Sequence, residues 1–274
     1  MSTHSGEGKR VRTLDLLEMK RKGERIAVLT AYDALFARLL DQAGVDVVLV
    51  GDSLAEVVLG LESTLPLSVD DMIHHARAVV RGVKRALVVV DMPFLSYQVS
   101  REEAVRNAGR ILKESGASGV KLEGGSEALA DTVAAIVGAG IPVMGHLGFT
   151  PQSVHALGGP RVQGRDEAAQ KRLLEEARRL EQAGAFSVVL ELMPGELARA
   201  VSAELTIPTI GIGAGPGCDG QVLVLPDMLG LNTTFKPRFL RHFANLGEQA
   251  TAGVKAYVEA VKKGEYPADE HTFS

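Results

Sequence analysis

Cysteine is almost missing from this chain of 274 residues: Cys218 stands alone, so no disulfide can form within it, and a reducing compartment suits it. An excess of positive charge is missing as well. Lys and Arg total 30 against 34 Asp and Glu, a formal charge of -4. The basic residues are not gathered into one long block, which removes support for nucleic-acid binding. No apolar run approaches the roughly 20 residues of a membrane span. Met1 to Lys22 is polar and basic, without the apolar core and small-residue cleavage site of a signal peptide. A soluble, cytoplasmic protein is expected.

What is present is a large apolar fraction, 46% of the residues, enough to bury a substantial core. One domain over residues 1–274 is the expectation, with residues 1–10 a loose arm and residues 264–274 a tail whose Tyr266 and Phe273 pack on a neighbouring subunit. Val11 to Lys22 reads as a short helix ahead of the first strand, Ile26 to Thr30. The apolar run from Val45 to Val50 reads as a buried parallel strand that stops on Gly51-Asp52-Ser53. Further strands are read at Ala86 to Val90, Gly119 to Gly124, Pro142 to His146, Ser187 to Leu192, Pro208 to Gly213 and Val222 to Leu225. Helices fall between them at Leu35 to Gln42, from after Ser68 to about Arg81, from after Ser100 through Leu112, at Glu127 to Val137 and at Asp166 to Gln182. Ser68 with Asp71, and Ser100 with Glu103, stand at capping-box spacing. Short strands alternating with helices predict a (β/α)8 TIM barrel with a short N-terminal helical extension; a doubly wound open sheet is the main rival.

Charge then singles out one end of the strands. Lys121 and Glu123 lie two apart and share a face, opposite Val120 and Leu122, so the charged pair turns into the barrel. Glu191 is likewise opposed to Val188, Leu190 and Leu192. Buried charges need a partner, solvent or a metal. A structural ion pair between Lys121 and a neighbouring carboxylate is one reading. Against it stands convergence: Asp52, Asp91, Lys121 with Glu123, His146 and Glu191 end five consecutive strands, where barrel enzymes collect their chemistry. Carboxylates around one point repel unless a cation sits among them, and a few hard oxygen ligands suit Mg2+. His146 is read as orienting substrate or a carboxylate by hydrogen bonding, with a satisfied core histidine as the alternative. His74-His75 reads as surface or packing, Cys218 as inert, and Gly211-Ile212-Gly213-Ala214-Gly215 as a close backbone approach.

These residues sit in longer stretches that resemble the ketopantoate hydroxymethyltransferase family along nearly the whole chain. They are Leu29-Thr30-Ala31-Tyr32-Asp33, Val50-Gly51-Asp52-Ser53-Leu54, Asp91-Met92-Pro93-Phe94, Val120-Lys121-Leu122-Glu123-Gly124-Gly125, Met144-Gly145-His146, Pro151-Gln152-Ser153-Val154, Val162-Gln163-Gly164-Arg165, Gly211-Ile212-Gly213-Ala214-Gly215 and Asp219-Gly220-Gln221. The resemblance implies a Mg2+-dependent (β/α)8 barrel moving a one-carbon unit from 5,10-methylenetetrahydrofolate to 3-methyl-2-oxobutanoate. It implies that Asp52 and Asp91 ligate Mg2+, with Glu123 in the metal site, and that Asp52, Ser53, Asp91 and Lys121 contact the keto acid. Glu191 would be the proton acceptor. Ala55 and Glu56 depart from a commoner Gly-Met. The alternatives are another Mg2+-dependent 2-keto acid lyase or mutase on a similar barrel, and a non-catalytic binding or assembly protein. A homo-oligomer with small-molecule substrates, and no nucleic acid or membrane, completes the expectation.

Overall fold

Eight parallel strands close into a barrel in chain order: β1 (Ile26–Thr30), β2 (Val47–Val50), β3 (Leu87–Asp91), β4 (Gly119–Lys121), β5 (Val143–Gly148), β6 (Ser187–Glu191), β7 (Thr209–Ile212) and β8 (Gly220–Leu223). The computed structural model describes residues 9–233 and 236–273. Most of the expected arm, residues 1–8, and the final residue of the expected tail lie outside the described residues. The chain divides into two compact units, Met1–Val224 and Leu225–Ser274. The whole barrel belongs to the first.

Alternation along the strands decides what fills the barrel. Val28, Val47, Leu49, Leu87, Val89, Met144, Val189, Ile210 and Val222 turn inward and form one cluster, which Val11 and Leu16 join from the N-terminal extension. Leu16 belongs to the helix Thr13–Lys22 and is fully buried. The intervening residues of β2 and β3, Val48, Val88 and Val90, meet the surrounding helices and are also buried. Each full burial of a Val or Leu contributes roughly 1.5–3 kcal/mol, so the double-sided burial of these strands is the main force closing the barrel. The open-sheet rival is thereby removed.

The helices start where the capping residues stand. Ser68 Oγ and Asp71 Oδ2 exchange bonds with each other's backbone N–H at 3.2 and 2.9 Å, opening the helix Val69–Gly82. Ser100, Ser126 and Asp166 cap Arg101–Ser115, Glu127–Gly138 and Glu167–Gln182 in the same way, each side chain accepting from a backbone N–H of the first turn. β8 begins and ends two residues before its expected bounds, because Gly220 pairs with Ile26 of β1 and with Ile210 of β7. A Cβ on Gly220 would stand 2.5 Å from the Ile26 carbonyl oxygen. On the outer side of β1 and β8, Ala27 and Gln221 remain exposed.

The second unit contains a short helix, Leu225–Met228, and a long one, Leu246–Lys263, which buries none of its residues. Its Val254, Tyr257, Val258 and Val261 are 62, 59, 41 and 44% exposed and follow three- and four-residue spacing along one stripe. Tyr266 in the tail meets the Tyr257 ring edge-on at 5.7 Å. Among the described residues, no helix is long and apolar enough to cross a membrane.

Candidate active site

The strand ends that carry charge converge on the C-terminal mouth. Asp91 closes β3 directly opposite Lys121 of β4 in the parallel register. Lys121 Nζ lies 3.2 Å from Asp91 Oδ1 and 3.8 Å from Glu123 Oε1, and it meets His146 Nδ1 at 3.1 Å. Asp52, two residues beyond β2, donates its backbone N–H to Asp91 Oδ2 at 3.0 Å. Gly51 leaves room for the Ser53 hydroxyl, since a Cβ there would stand 2.9 Å from Ser53 Oγ. Ser53 is half-buried and shares a hydrogen bond of 2.9 Å with the Tyr32 hydroxyl.

Glu123 lies just past β4, yet the chain still runs beside β5 there. Leu122 N–H donates to the Met144 carbonyl and Gly124 N–H to the His146 carbonyl. His146, on β5, reaches Glu191 Oε2 with Nε2 at 3.1 Å, without an aligned hydrogen bond. Because the Lys121 ammonium faces Nδ1, that nitrogen accepts and the proton belongs on Nε2, toward Glu191. Glu191 ends β6, and Gly148 of β5 passes so close beneath it that a Cβ would fall 2.1 Å from the Glu191 carbonyl oxygen.

Burial dominates the electrostatics. Desolvation pushes Asp52 up to about 6, aided by the Glu123 charge, and Asp91 up to about 6 despite the Lys121 ammonium. Burial likewise raises Glu123 to about 7, against the pull of Lys121. Glu191 is raised by burial, with His146 acting against the rise. His146 is lowered by burial and then by Lys121, which keeps it neutral. Burial would lower Lys121, but the charges of Asp91, Glu123 and Asp52 outweigh it and raise that group.

Fully ionised, the three carboxylates Asp52, Asp91 and Glu123 against one ammonium, Lys121, leave a charge of -2 at a site where all four residues are buried. Asp91 Oδ1 and Glu123 Oε1 are buried without a hydrogen bond. Charge and orphaned oxygens together fit a divalent cation held by few protein oxygens, the pattern typical of Mg2+. Among the described residues, no three His, Cys, Asp or Glu side chains form a metal cage by themselves. Two carboxylates completed by water and substrate need no such cage.

Two residues that sequence reasoning missed bind this centre together. Gln152 and Tyr97 are both buried between the acidic groups, and the Tyr97 hydroxyl accepts from Glu123 N–H at 3.1 Å. Gln152 lies inside a stretch that carried the family resemblance; Tyr97 gave no signal. From Tyr97 and Glu123 a groove of about 1130 Å³ runs outward past Phe94, Val99, Leu129 and Leu157. His74 and His75 stay apart from the site: His74 is exposed, and His75 Nδ1 pairs with the Tyr32 carbonyl at 2.8 Å. Ala55 is buried and Glu56 exposed on the short helix Leu54–Val57. Cys218 is buried.

Comparison with known proteins places this arrangement in context. The family profile described as ketopantoate hydroxymethyltransferase matches residues 10–269. A 3-methyl-2-oxobutanoate hydroxymethyltransferase of Syntrophus aciditrophicus (strain SB) is 56% identical over 273 residues, covering 100% of both chains. One from Moorella thermoacetica (strain ATCC 39073 / JCM 9320) is 56% identical over 264 residues, covering 96% of this chain and 98% of its own. Among solved structures, phosphonopyruvate hydrolase in complex with oxalate and Mg2+ aligns with a TM-score of 0.63 at 13% identity, covering 96% of this chain and 92% of that one. 2,3-Dimethylmalate lyase, a PEP mutase/isocitrate lyase superfamily member, aligns with a TM-score of 0.58 at 17% identity, covering 95% and 91%. At these identities the solved structures show a shared fold.

Proposed function

Because the chain belongs to the ketopantoate hydroxymethyltransferase family, we propose that its barrel mouth transfers a hydroxymethyl group from 5,10-methylenetetrahydrofolate to 3-methyl-2-oxobutanoate, giving 2-dehydropantoate. The observation that carries this reading is the meeting of Asp52, Asp91 and Lys121 beside the His146–Glu191 pair. Asp52 and Asp91 would hold a Mg2+ ion, with Glu123 reaching it through water. When bound, that ion supplies Lewis acidity to the keto oxygen of the substrate.

The protein's own groups account for the remaining steps. Lys121, an ammonium in a desolvated setting, faces the substrate carboxylate and the oxygen on which charge develops. Ser53 lies beside Asp52 as a further contact for the keto acid. Glu191 takes the proton from C3, and its raised pKa makes it a stronger base than an exposed carboxylate. His146 faces Glu191 with Nε2 at 3.1 Å and, kept neutral, would steady the base through a hydrogen bond reached by a small turn of either side chain. The C3 electron pair then forms the new carbon–carbon bond to the folate methylene carbon, whose bonds to the two folate nitrogens break; water supplies the hydroxyl, and the nitrogens take the proton from C3 and one from water as tetrahydrofolate leaves. The groove of about 1130 Å³ gives a bulky donor room beside the small keto acid, and Arg101 and Arg172 on its walls suit a donor bearing carboxylates.

Replacement of Glu191 by Gln is expected to leave folding and keto acid binding intact while abolishing deuterium exchange at C3, read by proton NMR in heavy water. Exchange at the wild-type rate in Glu191→Gln removes Glu191 from the base role. Product analysis with and without the folate donor separates hydroxymethyl transfer from carbon–carbon cleavage by a 2-keto acid lyase. A cytoplasmic setting accords with the lone cysteine. Self-association is supported by the apolar stripe of the helix Leu246–Lys263, with Leu35 and Leu39 offering a second exposed apolar pair.

A further inference from the structure

The loop after β5 carries a neutral side chain tied to three of the strands that bear the acidic groups. Gln152 is 5% exposed. Its Nε2 donates to Asp52 Oδ2 and to the Met92 carbonyl, both at 2.9 Å, and its backbone N–H donates to Glu123 Oε2 at 2.9 Å. Its Oε1 accepts from the Tyr97 hydroxyl at 2.7 Å and from Gln98 Nε2 at 3.4 Å. These partners fix which way the amide points. Turned over, it would press Oε1 against the Asp52 carboxylate and the Met92 carbonyl, acceptors with no proton between them. A third donor, Asp52 N–H, reaches Asp91 Oδ2 at 3.0 Å.

Each donor therefore takes one oxygen of a carboxylate and leaves the other. On Asp91 and Glu123 the other oxygens, Oδ1 and Oε1, face the Lys121 ammonium and are buried without a hydrogen bond. We infer that Gln152 is a positioning residue that confines Asp52 and Glu123 to one available oxygen each, and so sets the preference of the site for Mg2+ over Ca2+. The inference rests on the metal reading above. Ca2+ gathers about six to eight oxygens and readily takes both oxygens of a carboxylate, whereas Mg2+ takes single oxygens and completes a tight octahedron with water and substrate. The Gln152 amide occupies one lone pair of Asp52 Oδ2 and holds the carboxylate in place, which favours single-oxygen ligation through Oδ1 over a two-oxygen grip on an ion. Tyr97 belongs to the same device, because its hydroxyl holds the amide in the orientation that aims Nε2 at Asp52.

The test is calorimetric titration of Mg2+ and, separately, Ca2+ into the full chain saturated with 3-methyl-2-oxobutanoate, for wild type, Gln152→Leu and Tyr97→Phe. Gln152→Leu removes the clip on Asp52 and keeps the backbone clip on Glu123. Loss of such outer contacts changes metal affinity by about ten- to a hundredfold. The expected result is a fall of that size in the Mg2+/Ca2+ affinity ratio for Gln152→Leu, with Ca2+ binding retained, and a smaller fall in the same direction for Tyr97→Phe. Equal weakening of both ions, leaving the ratio unchanged, overturns the inference and reduces Gln152 to a structural support. If Gln152→Leu does not fold, an unchanged ratio in Tyr97→Phe overturns it equally. Failure of the wild-type chain to bind either ion with keto acid present refutes the metal reading itself, and the inference falls with it.

Discussion

Asp91 illustrates how much one side chain carries here: one oxygen is anchored by Asp52 N–H while the other, turned toward Lys121, has no hydrogen bond. Burial holds protons on Asp52 and Asp91 up to about pH 6 and on Glu123 up to about 7, whereas exposed carboxylates lose theirs near pH 4. Between about pH 4 and 7 these three groups thus bind more protons in the folded chain than in the unfolded one. Their contribution favours the fold below that window and declines as pH rises through it. Thermal unfolding of the metal-free protein at pH 5 and pH 8 checks this. The loss of Tm on going to pH 8 is expected to be smaller in Asp52→Asn than in wild type; an equal or larger loss contradicts the assignment. The charged site residues were legible in the sequence because each interrupts or ends an apolar strand. Gln152 and Tyr97 were not, because a neutral side chain on a loop breaks no pattern, and the Gln152–Asp52 bond joins residues 100 positions apart.

Among the elements, β5 and β6 do the most to aim the base. Reading β5 as ending at His146 left out Leu147 and Gly148, which pair with Leu190 and Glu191 and extend the strand by two residues. Periodicity could not reveal that extension, because Gly148, at φ 93°, looks like a terminator and is instead the point where the two strands nearly touch. Leu192 follows Glu191 with φ 44°, a left-handed conformation that a branched apolar residue adopts only when its surroundings impose it. Gly148→Ala is expected to displace the Glu191 peptide and slow C3 exchange by about a hundredfold, the scale of a 1 Å misplacement. NMR-detected exchange at the wild-type rate in that variant would show that the close passage does not position Glu191. The helices Gly195–Glu204 and Leu246–Lys263 went unread: Pro194-Gly195 looks like a turn, and the second helix buries none of its described residues.

At the scale of the molecule, β-strand alternation and the capping residues made the barrel legible. The surfaces it leaves uncovered were less so. Residues 264–274 were expected to meet a neighbouring subunit, and within the second unit the more extensive apolar surface belongs to the preceding helix, through Val254, Tyr257, Val258 and Val261. Self-association therefore predicts that truncation after Asn245 lowers the assembly size, measured by light scattering after size exclusion; an unchanged mass contradicts a role for this helix.

The proposed chemistry requires Asp52 and Asp91 to share one divalent ion with the keto acid, and paramagnetic resonance of Mn2+ substituted for Mg2+ reads that directly. Wild type is expected to bind one Mn2+ per chain, with a spectrum that changes when 3-methyl-2-oxobutanoate is added and shows coupling to carbon-13 in its carboxylate and keto positions. Asp52→Asn and Asp91→Asn should each lose that signal. Retention of the full keto-acid-dependent spectrum in either variant contradicts the shared site.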